Sequence, residues 1–392
     1  MIDNKTIRAI KGIYPYTVKI RRTLHAHPEL SGREHATASL VAVELRKLGL
    51  KPRFYLRNTA VVCRIENGTG ETVILRADMD ALPVEEKTGL SFASRNPGIM
   101  HACGHDLHTA ILLGAARVLA QSRTQWRGSV VLLFQPSEEM EPGGALGLIN
   151  AGAFPAEATA VFGLHVNPEL RTGAVGLREG SDFAGVLNFS VTVHGHGGHA
   201  AAPQVTANPI ICAAEMIYRL SKMAGQKIRQ GAVIAVGAVH AGNRSNIIPD
   251  RAEFRGTIRF HSKSVGSVIR KEVNGLVSAD AKNRGLKAVI EFSASYPPNW
   301  NDPGLTGRMR KYYQRIIGPE KVVERRHPVY YAEDFAYYQE KVPGLYIHLG
   351  VVPPRAEPSA RLHNAHFSPD ENAMKTGMLA HVAFVDALCG RP

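Results

Sequence analysis

A segment of eight residues, His101–His108, brings together three histidines, one cysteine and one aspartate directly before an apolar run. A thiolate and an imidazole two residues apart, Cys103 and His105, can face one cation from a tight turn, and a thiolate can bridge two metal ions. The alternative is a helix N-terminus capped by Asp106, with histidines nearby. The segment alone therefore indicates either a metal site or a capped helix.

Two adjacent acids, Glu138 and Glu139, directly follow an apolar segment at 130–134. Acids at a strand terminus lie where open α/β sheets bind ligands. Because neighbouring side chains diverge, one carboxylate can bind metal while the other faces a water molecule as general base. The alternative is an acidic cap on the next helix. The pair is thus a second candidate for catalysis.

Three further groups end or follow apolar runs. His165 ends one run, Asp78 and Asp80 follow another, and either His363 or His366 can complete a ligand set. Aspartates in such positions can orient metal ligands by hydrogen bonding to the side of the ligand that faces away from the metal. Each group has an ordinary alternative, a buried core histidine or a loop residue. Together, five groups of His, Cys, Asp or Glu at strand ends of one domain favour a metal site.

Alternating helices and strands are predicted to position these residues. Helices are predicted over 37–48, 108–121, 143–151, 304–317, 334–341 and 370–388, and strands over 60–65, 72–77, 129–134, 158–166 and 344–350. This alternation is typical of a mainly parallel sheet covered by helices on both faces. We therefore predict an α/β fold.

The segment 186–295 has a different pattern. Its predicted elements are a strand at 186–194, a helix at 207–224, strands at 232–240 and 252–260, a helix at 265–284 and a strand at 287–295. This βαββαβ order is that of a ferredoxin-like unit. The sequence thus predicts a catalytic domain in two parts, 1–185 and 296–392, interrupted by an inserted domain at 186–295.

Composition restricts the class of protein. The chain has 392 residues, 44% hydrophobic and 21% charged, which is ordinary for a globular protein. The net charge of +13 suggests nucleic acid, but the two basic sections lack runs of five like charges and interleaved aromatic residues, so no nucleic-acid partner is predicted. No apolar run long enough to span a membrane and no signal peptide is visible. With only four cysteines, a cytoplasmic protein without a membrane partner is predicted.

Taken in order, the motifs resemble the amidohydrolase branch of the co-catalytic metallopeptidase clan, which includes hippurate hydrolase, N-acyl-amino-acid amidohydrolases and indole-acetyl-amino-acid hydrolases. The matching segments are 24–30, 76–83, 101–108, 135–144, 163–165, 332–335 and 362–363. They cover nearly the whole chain. The resemblance implies a zinc-aminopeptidase-like catalytic domain with an inserted lid and dimerisation domain.

The resemblance also implies roles for individual residues. A pair of divalent ions would be bound by five ligands, Cys103, His105, Glu139, His165 and His363. Glu138 would be the general base. Three aspartates would orient the ligands, Asp78, Asp80 and Asp106. Zinc or manganese is predicted, with cobalt or nickel as alternatives.

The inserted unit carries its own matching motifs. In the segment 194–203, His199 would reach a partner subunit's active site and stabilise the oxyanion, and the alternative is a glycine-rich turn. Asn246 and Arg259 would bind the substrate carboxylate, a task that suits a guanidinium group. This division of roles implies a homodimer, or a dimer of dimers, formed through the lid.

The sequence departs from the family pattern at three positions. Leu107 replaces glycine, Gln204 replaces histidine and Ala365 replaces proline. The first predicts a changed turn or pocket floor, and the third predicts a looser loop around His363. No predicted ligand is lost, so these departures bear on substrate preference and metal affinity.

The predicted reaction is metal-dependent hydrolysis of the amide of an N-acetyl, N-benzoyl or aryl-acetyl amino acid, which releases a carboxylic acid and the free amino acid. N-acetyl-diaminopimelate deacetylation is an alternative. A second alternative makes Cys103 a nucleophile with His105 as its base, but it leaves the other ligands without a role. A third is a non-catalytic protein that clamps a small ligand at a hinge.

Overall fold

The computed structural model describes residues 2–227, 231–294, 296–355, 357 and 360–391. The chain divides into two compact units. Unit 1 comprises Met1–Gly180, Trp300–Arg326 and Asp334–Pro392, and unit 2 comprises Ser181–Asn299 and His327–Glu333. The predicted insertion, 186–295, falls within unit 2, although its last residue lies outside the described residues. Its role as a lid and dimerisation domain stays a prediction.

The helices of the described chain are α1 (Asn4–Ala26), α2 (His35–Arg46), α3 (His105–Gln121), α4 (Gly144–Asn150), α5 (Pro209–Lys227), α6 (Lys263–Asn283), α7 (Pro303–Ile317), α8 (Ala336–Gln339) and α9 (Ala373–Cys389). None of these helices is long and apolar enough to cross a lipid bilayer. Helix α3 of unit 1 begins within the segment 101–108, at His105.

The strands are β1 (Arg53–Tyr55), β2 (Ala60–Asn67), β3 (Thr72–Asp78), β4 (Gly128–Gln135), β5 (Ala160–Arg171), β6 (Val175–Leu177), β7 (Gly180–Ser181), β8 (Gly185–His194), β9 (Gly198–His199), β10 (Ala232–Ala241), β11 (Ile247–Ile248), β12 (Arg251–Phe260), β13 (Lys287–Ala294), β14 (Trp300–Asn301), β15 (Val322–Glu324) and β16 (Gly344–Val352). The two-residue strands form two separate two-stranded sheets, β11 with β9 and β14 with β7.

Unit 1 contains an eight-stranded sheet with the order β1-β2-β4-β3-β5-β16-β6-β15. The central strands β4, β3, β5 and β16 are parallel to one another. Antiparallel pairs are β1 with β2, β2 with β4, and β16 with β6. Every residue of β3, β4 and β16 is buried, as expected for strands covered on both faces. The predicted α/β fold with a mainly parallel sheet is confirmed.

Helix α3 packs against both α1 and α9 in the core of unit 1. Gly114 lies at this crossing. A Cβ atom added there would overlap the side chain of Met378 and approach Thr17 Oγ1 to 2.8 Å. The close packing of α3, whose first turn carries His105, therefore requires glycine at this position.

Unit 2 contains a four-stranded antiparallel sheet with the order β10-β12-β8-β13. Helices α5 and α6 pack on these strands and form one apolar core with them. Apart from the two-residue strands, the chain order is β8, α5, β10, β12, α6, β13. This is the βαββαβ order predicted from the sequence. Strands β10 and β13 are the edges of the sheet.

Some elements differ from their predictions. No element was predicted before residue 37, yet α1 fills 4–26, with Asp3 capping it by accepting a hydrogen bond from the Thr6 N–H at 2.7 Å. Pro15 lies inside α1, where proline is normally disfavoured, so the sequence pattern is ambiguous there. Helix α8 is shorter than the predicted 334–341, because the Asp334 carboxylate instead accepts hydrogen bonds from Arg76 and Gln135.

Candidate metal centre and active site

Cys103 and His105 are positioned by the tight turn that begins α3. Gly104 is the residue before the helix and has φ of 85°, in the left-handed region that favours glycine. A Cβ atom there would lie 2.7 Å from Val166 Cγ2, so the turn packs directly against β5. The helix begins at His105 rather than at the predicted His108.

Asp106 does not cap this helix, and its contacts are not those expected of a residue that orients a metal ligand. Its Oδ2 accepts hydrogen bonds from Arg21 Nε at 2.8 Å and from His25 Nδ1 at 2.9 Å. None of the five predicted ligands is a hydrogen-bond or ion-pair partner of Asp106 in the described chain. Asp106 therefore anchors α3 to α1, and orienting a metal ligand is not supported by its contacts.

All five predicted ligands come together in unit 1, in two overlapping groups. Within each group the potential ligand atoms all lie within 4.8 Å of one another, and the groups are Cys103, His105 and His165, and Cys103, Glu139 and His363. Cys103 belongs to both. Its Sγ lies 3.4 Å from His165 Nε2, and Glu139 Oε1 lies 3.1 Å from His363 Nε2. Two three-atom groups that share one thiol are suited to a pair of cations bridged by a thiolate.

The two buried imidazoles are held by oxygen atoms on their Nδ1 side. His165 Nδ1 donates to the carbonyl of Val166 at 2.8 Å, and His105 Nδ1 lies 3.2 Å from Asp80 Oδ1. Each ring therefore presents Nε2 to the group. Donation of one ring nitrogen to a carboxylate or carbonyl is the usual support of a metal-bound histidine.

His105 Nε2 is buried and has no hydrogen-bond partner among the described residues. It lies 4.0 Å from Glu139 Oε1, which is itself 3.1 Å from His363 Nε2. An unsatisfied buried polar atom is costly, and a cation between the His105 nitrogen and the Glu139 oxygen would give that nitrogen a partner. The donor set of sulfur, nitrogen and oxygen therefore fits divalent metal ions.

Asp80 connects the start of α3, which carries His105, to the segment that carries Glu139. Besides His105, its carboxylate accepts hydrogen bonds from the Glu139 N–H at 3.0 Å and from Ser31 Oγ at 2.7 Å. Glu138 is 7% exposed, and a carboxylate oxygen of it lies within 4.8 Å of ligand atoms of His105 and Glu139. The predicted base is therefore adjacent to the predicted ligands.

The charges of the site shift its pKa values in opposite directions. Burial disfavours protonation of His105, but Asp78, Asp80 and Glu139 outweigh it and raise its pKa to about 10. Burial and the charges of Glu139 and Glu138 raise the pKa of the Cys103 thiol. Burial and nearby histidines lower the pKa of His165. The pocket is therefore rich in negative charge, and a bound cation would displace protons from its ligands.

His363 differs from the other ligands in exposure and conformation. Its side chain is 52% exposed, its φ is 65°, and its N–H donates to the carbonyl of Ala102 at 2.9 Å. His366, the alternative, belongs to neither group in the described chain. Ala365 stands where the family pattern has proline, and its carbonyl accepts a hydrogen bond from the Lys87 N–H at 2.8 Å. The loop that carries His363 is therefore held by backbone hydrogen bonds.

His108 is a site residue to which the sequence assigned no role. Its Nδ1 lies 2.6 Å from Asp78 Oδ1, and its Nε2 accepts the Val166 N–H at 3.0 Å. Both ring nitrogens are therefore occupied, and His108 fixes the strand next to His165. Its position three residues after His105 on one helix face was the only available signal.

A buried polar network around Arg76 was also missed. Arg76 is 1% exposed and donates to Asp78 Oδ2 at 2.5 Å, Gln135 Oε1 at 2.9 Å and Asp334 Oδ1 at 2.8 Å. Such a buried cation requires paired acids. Asp78 is thus held by Arg76 on one oxygen and supports His108 with the other.

His165 itself was expected at the end of its strand but lies within β5, which continues to Arg171. Its parallel partner in β16 is His348. Leu107, which stands where the family pattern has glycine, is completely buried in the apolar core of unit 1. Gln204, which stands where the pattern has histidine, lies in an exposed turn of unit 2. Neither side chain joins the ligand groups.

In unit 2, His199 and Asn246 lie together. His199 pairs with Ile247, and the Asn246 carbonyl accepts the Ala200 N–H at 3.1 Å. His199 is exposed and its Nδ1 accepts the Ala201 N–H at 3.1 Å, so in the neutral ring the proton is on Nε2. This exposed N–H is a hydrogen-bond donor.

Arg259 lies near the end of strand β12. It is eight residues along that strand from Arg251, about 26 Å at about 3.3 Å per residue, whereas Asn246 lies five residues before Arg251. Arg259 Nη1 donates to the Tyr330 carbonyl at 2.7 Å. Arg259 is therefore far from the end of β12 that Asn246 precedes.

Comparison with known proteins agrees with this geometry. A profile of peptidase family M20/M25/M40 matches residues 74–387. Thermostable carboxypeptidase 2 of Saccharolobus solfataricus is 38% identical over 378 residues, 95% of each chain. IAA-amino acid hydrolase ILR1-like 4 of Arabidopsis thaliana is 34% identical over 384 residues, 96% of this chain and 87% of that protein. The structure of the Bacillus subtilis YXEP protein, a dinuclear metal-binding peptidase from the M20 family, superimposes with a TM-score of 0.84 at 30% identity, covering 96% and 98% of the two chains.

Fold and ligand groups together define a hydrolase of the metallopeptidase class that acts on amide bonds and uses divalent metal. The chain belongs to peptidase family M20/M25/M40. The resemblance drawn from the sequence motifs is thereby confirmed, and the non-catalytic alternative is not.

Proposed function

We propose that this enzyme hydrolyses the amide bond of N-acylated amino acids to a carboxylic acid and a free amino acid. The observation that carries the proposal is the pair of ligand groups that share Cys103, with Glu138 beside them. The names of two relatives support the substrate class. An amino-acid conjugate hydrolase and a carboxypeptidase both cleave the amide that precedes an amino acid.

In this proposal two divalent ions are held by Cys103, His105, Glu139, His165 and His363. When bound, such ions polarise the amide carbonyl and lower the pKa of a water molecule. Glu138 takes the proton of the attacking water and returns it to the leaving amine. The low exposure of Glu138 keeps bulk water from competing for this proton. Zinc and manganese remain the predicted metals, and cobalt and nickel the alternatives.

We infer that the substrate carboxylate is bound by Arg259. One N–H of its guanidinium is used by the Tyr330 carbonyl, and the group has five N–H donors in a planar fork that matches a carboxylate. His199 and Asn246 lie together near the start of β12, whereas Arg259 lies near its end. They would serve the site of a second chain, where the exposed N–H of His199 stabilises the oxyanion.

Arg259→Ala is therefore expected to raise KM for N-acyl amino acids by about 10- to 100-fold, the loss of a charge-assisted hydrogen bond, with a smaller effect on kcat. The measurement compares each substrate with its decarboxylated N-acyl amine. An equal loss on both would contradict the role of Arg259.

We propose a homodimer formed through strand β10. This edge strand carries no Lys, Arg, Asp or Glu among its ten residues, whereas natural edge strands are usually protected by charges. Val239 on this strand and Tyr218 on α5 are exposed, at 53% and 61%. Pairing of two β10 strands would cover both the open edge and these apolar side chains.

We also place the enzyme in the cytoplasm. All four cysteines are free and buried, which supports the reducing compartment predicted from the sequence.

The deciding experiment measures amine release from chelator-stripped protein with and without added zinc or manganese. The panel contains N-acetyl, N-benzoyl and indole-acetyl amino acids, N-acetyl-diaminopimelate and N-protected dipeptides. Hydrolysis restored by metal is expected, and the ranking of acyl groups separates aminoacylase from carboxypeptidase activity. Stoichiometric metal binding without hydrolysis of any member would contradict the proposed substrate class.

A further inference from the structure

A buried carboxylate from a distant part of the chain supports the loop that carries Glu138 and Glu139. Glu34 directly precedes α2 and has no exposed surface. Its side chain makes no hydrogen bond to the N-terminus of that helix. Instead, Glu34 Oε1 accepts hydrogen bonds from the Ser137 N–H at 2.8 Å and from the Gly32 N–H at 3.0 Å.

Ser137 has an unusual backbone conformation. Its φ is 55°, in the left-handed region that residues other than glycine rarely adopt. Its carbonyl accepts the Gly144 N–H at 3.0 Å. A non-glycine residue stays in this region only when the surroundings hold it there, and such residues concentrate at functional sites. The hydrogen bond that the Ser137 N–H donates to Glu34 supplies that support directly before Glu138.

A second buried carboxylate acts on the other side of Glu138. Asp80 Oδ2 accepts the Glu139 N–H at 3.0 Å. The backbone N–H groups of the residues before and after Glu138 are thus both tied to buried acids. Only one of these acids, Asp80, also contacts a predicted ligand, His105. Among the described residues, the side chain of Glu34 makes its hydrogen bonds to backbone N–H groups, those of Ser137 and Gly32.

We propose that Glu34 is a positioning residue that fixes the Ser137–Glu139 turn, and so sets the direction of the general base and of one metal ligand. The inference rests on the roles proposed for Glu138 and Glu139. The property required of Glu34 is the reach of an oxygen acceptor to the Ser137 N–H. Its charge is secondary, because a neutral amide oxygen accepts the same two hydrogen bonds.

Two conservative variants separate reach from charge. Glu34→Gln keeps the length and an acceptor oxygen, and we expect wild-type kcat and metal affinity. Glu34→Asp keeps the charge but withdraws the oxygen by one methylene. For Glu34→Asp we expect kcat and the affinity for one of the two metal equivalents to fall by about 10- to 100-fold, the usual effect of losing support behind a ligand. Zinc titration of the chelator-stripped protein gives the second readout without substrate.

Glu29 offers a matched control on the same loop. Its carboxylate also accepts two backbone N–H groups, those of Ala36 and Thr37 at 3.0 and 2.8 Å, and both belong to α2. Glu29→Asp is expected to lower the thermal midpoint without changing the metal titration. A wild-type titration for Glu34→Asp, or an equal change for Glu29→Asp, would overturn the inference.

A double variant tests the backbone step itself. Glycine adopts positive φ without strain, so Ser137→Gly added to Glu34→Asp is expected to recover most of the lost turnover and metal affinity. No recovery would overturn a role through Ser137. If the wild-type protein bound no divalent metal, the proposed function would fail instead, and the two failures are thus distinguishable.

Discussion

At the scale of single residues, Glu138 and Glu139 are chain neighbours with different surroundings. Glu139 Oε1 lies 3.1 Å from His363 Nε2 and 4.0 Å from His105 Nε2, between two predicted ligands. Glu138 lies within reach of the same His105 imidazole, in a group with His105 and Glu139, but outside the two groups that share Cys103. We therefore propose different tasks for two chemically identical side chains.

Glu138→Ala is expected to lower kcat by about 100- to 10,000-fold, the contribution of general acid–base catalysis, while two metal equivalents remain bound. Glu139→Gln is the contrasting variant, because loss of a charged ligand should reduce metal binding as well as turnover. Metal content by elemental analysis, measured beside kcat, separates the two. Turnover retained by Glu138→Ala would refute its assignment as base.

His381 of α9 is a residue-scale source of acid sensitivity. It is completely buried against Phe162, neither ring nitrogen has a hydrogen-bond partner in the described chain, and burial lowers its pKa to about 3 from the ordinary 6.5. Between these values the unfolded chain binds a proton that the folded chain does not. The free energy of unfolding therefore falls as the pH is lowered through this window, by about 1.4 kcal/mol per pH unit.

His381→Leu is expected to remove this dependence, so that the slope of unfolding free energy against pH between 4 and 6 decreases by about one proton. Urea unfolding at several pH values measures the slope. The same substitution at the exposed His35 is the control and should leave the slope unchanged. An unchanged slope for His381→Leu would show that its burial does not control acid stability.

At the scale of elements, the two edges of the unit 2 sheet are differently protected. Strand β13 carries charged residues, Lys287 and Glu291, whereas β10 carries none. An uncharged ten-residue edge is a template for pairing with another strand. The asymmetry supports β10 as the edge of the proposed dimer.

Val239→Lys places a charge on the β10 edge and is expected to convert the dimer to a monomer, measured by light scattering after size exclusion. Val289→Lys on β13, where the valine is 39% exposed, is the matched control and should remain dimeric. Dissociation by the control alone would assign the interface to the opposite edge.

Local patterns predicted elements well where apolar periodicity was uninterrupted, as in β3, β4 and α3. They did not predict α1, which contains Pro15, or the shortened α8, because tertiary contacts decided both. The site divides in the same way. The family resemblance predicted the five ligands, but the supporting roles of His108, Arg76 and Glu34 depend on partners 30 to 258 positions away in the chain.

At the scale of the whole molecule, the length of β12 separates two predicted substrate contacts. Because Asn246 precedes the start of β12 and Arg259 lies near its end, we propose that a complete carboxylate and oxyanion site takes contributions from two chains. The minimal active species in this proposal is therefore the dimer.

Mixing two inactive variants tests this requirement. Glu138→Ala and His199→Ala each disable every site of their own homodimers, but a hybrid dimer contains one site with both residues intact. Random exchange of subunits yields half hybrids, so about a quarter of wild-type activity is expected to return. No recovery, with hybrids demonstrated by differential tagging, would show that His199 acts within its own chain.

The unequal exposure of the ligands has a consequence for how the protein is handled. Cys103, His105 and His165 are at most 7% exposed, whereas His363 is 52% exposed on a loop. With the proposed ligand set, the half of the centre that includes His363 exchanges its ion with the surrounding medium first. The activity of a purified batch would then depend on the trace metal in its buffers. Differences in activity between preparations would reflect the metal supplied rather than misfolding of the protein.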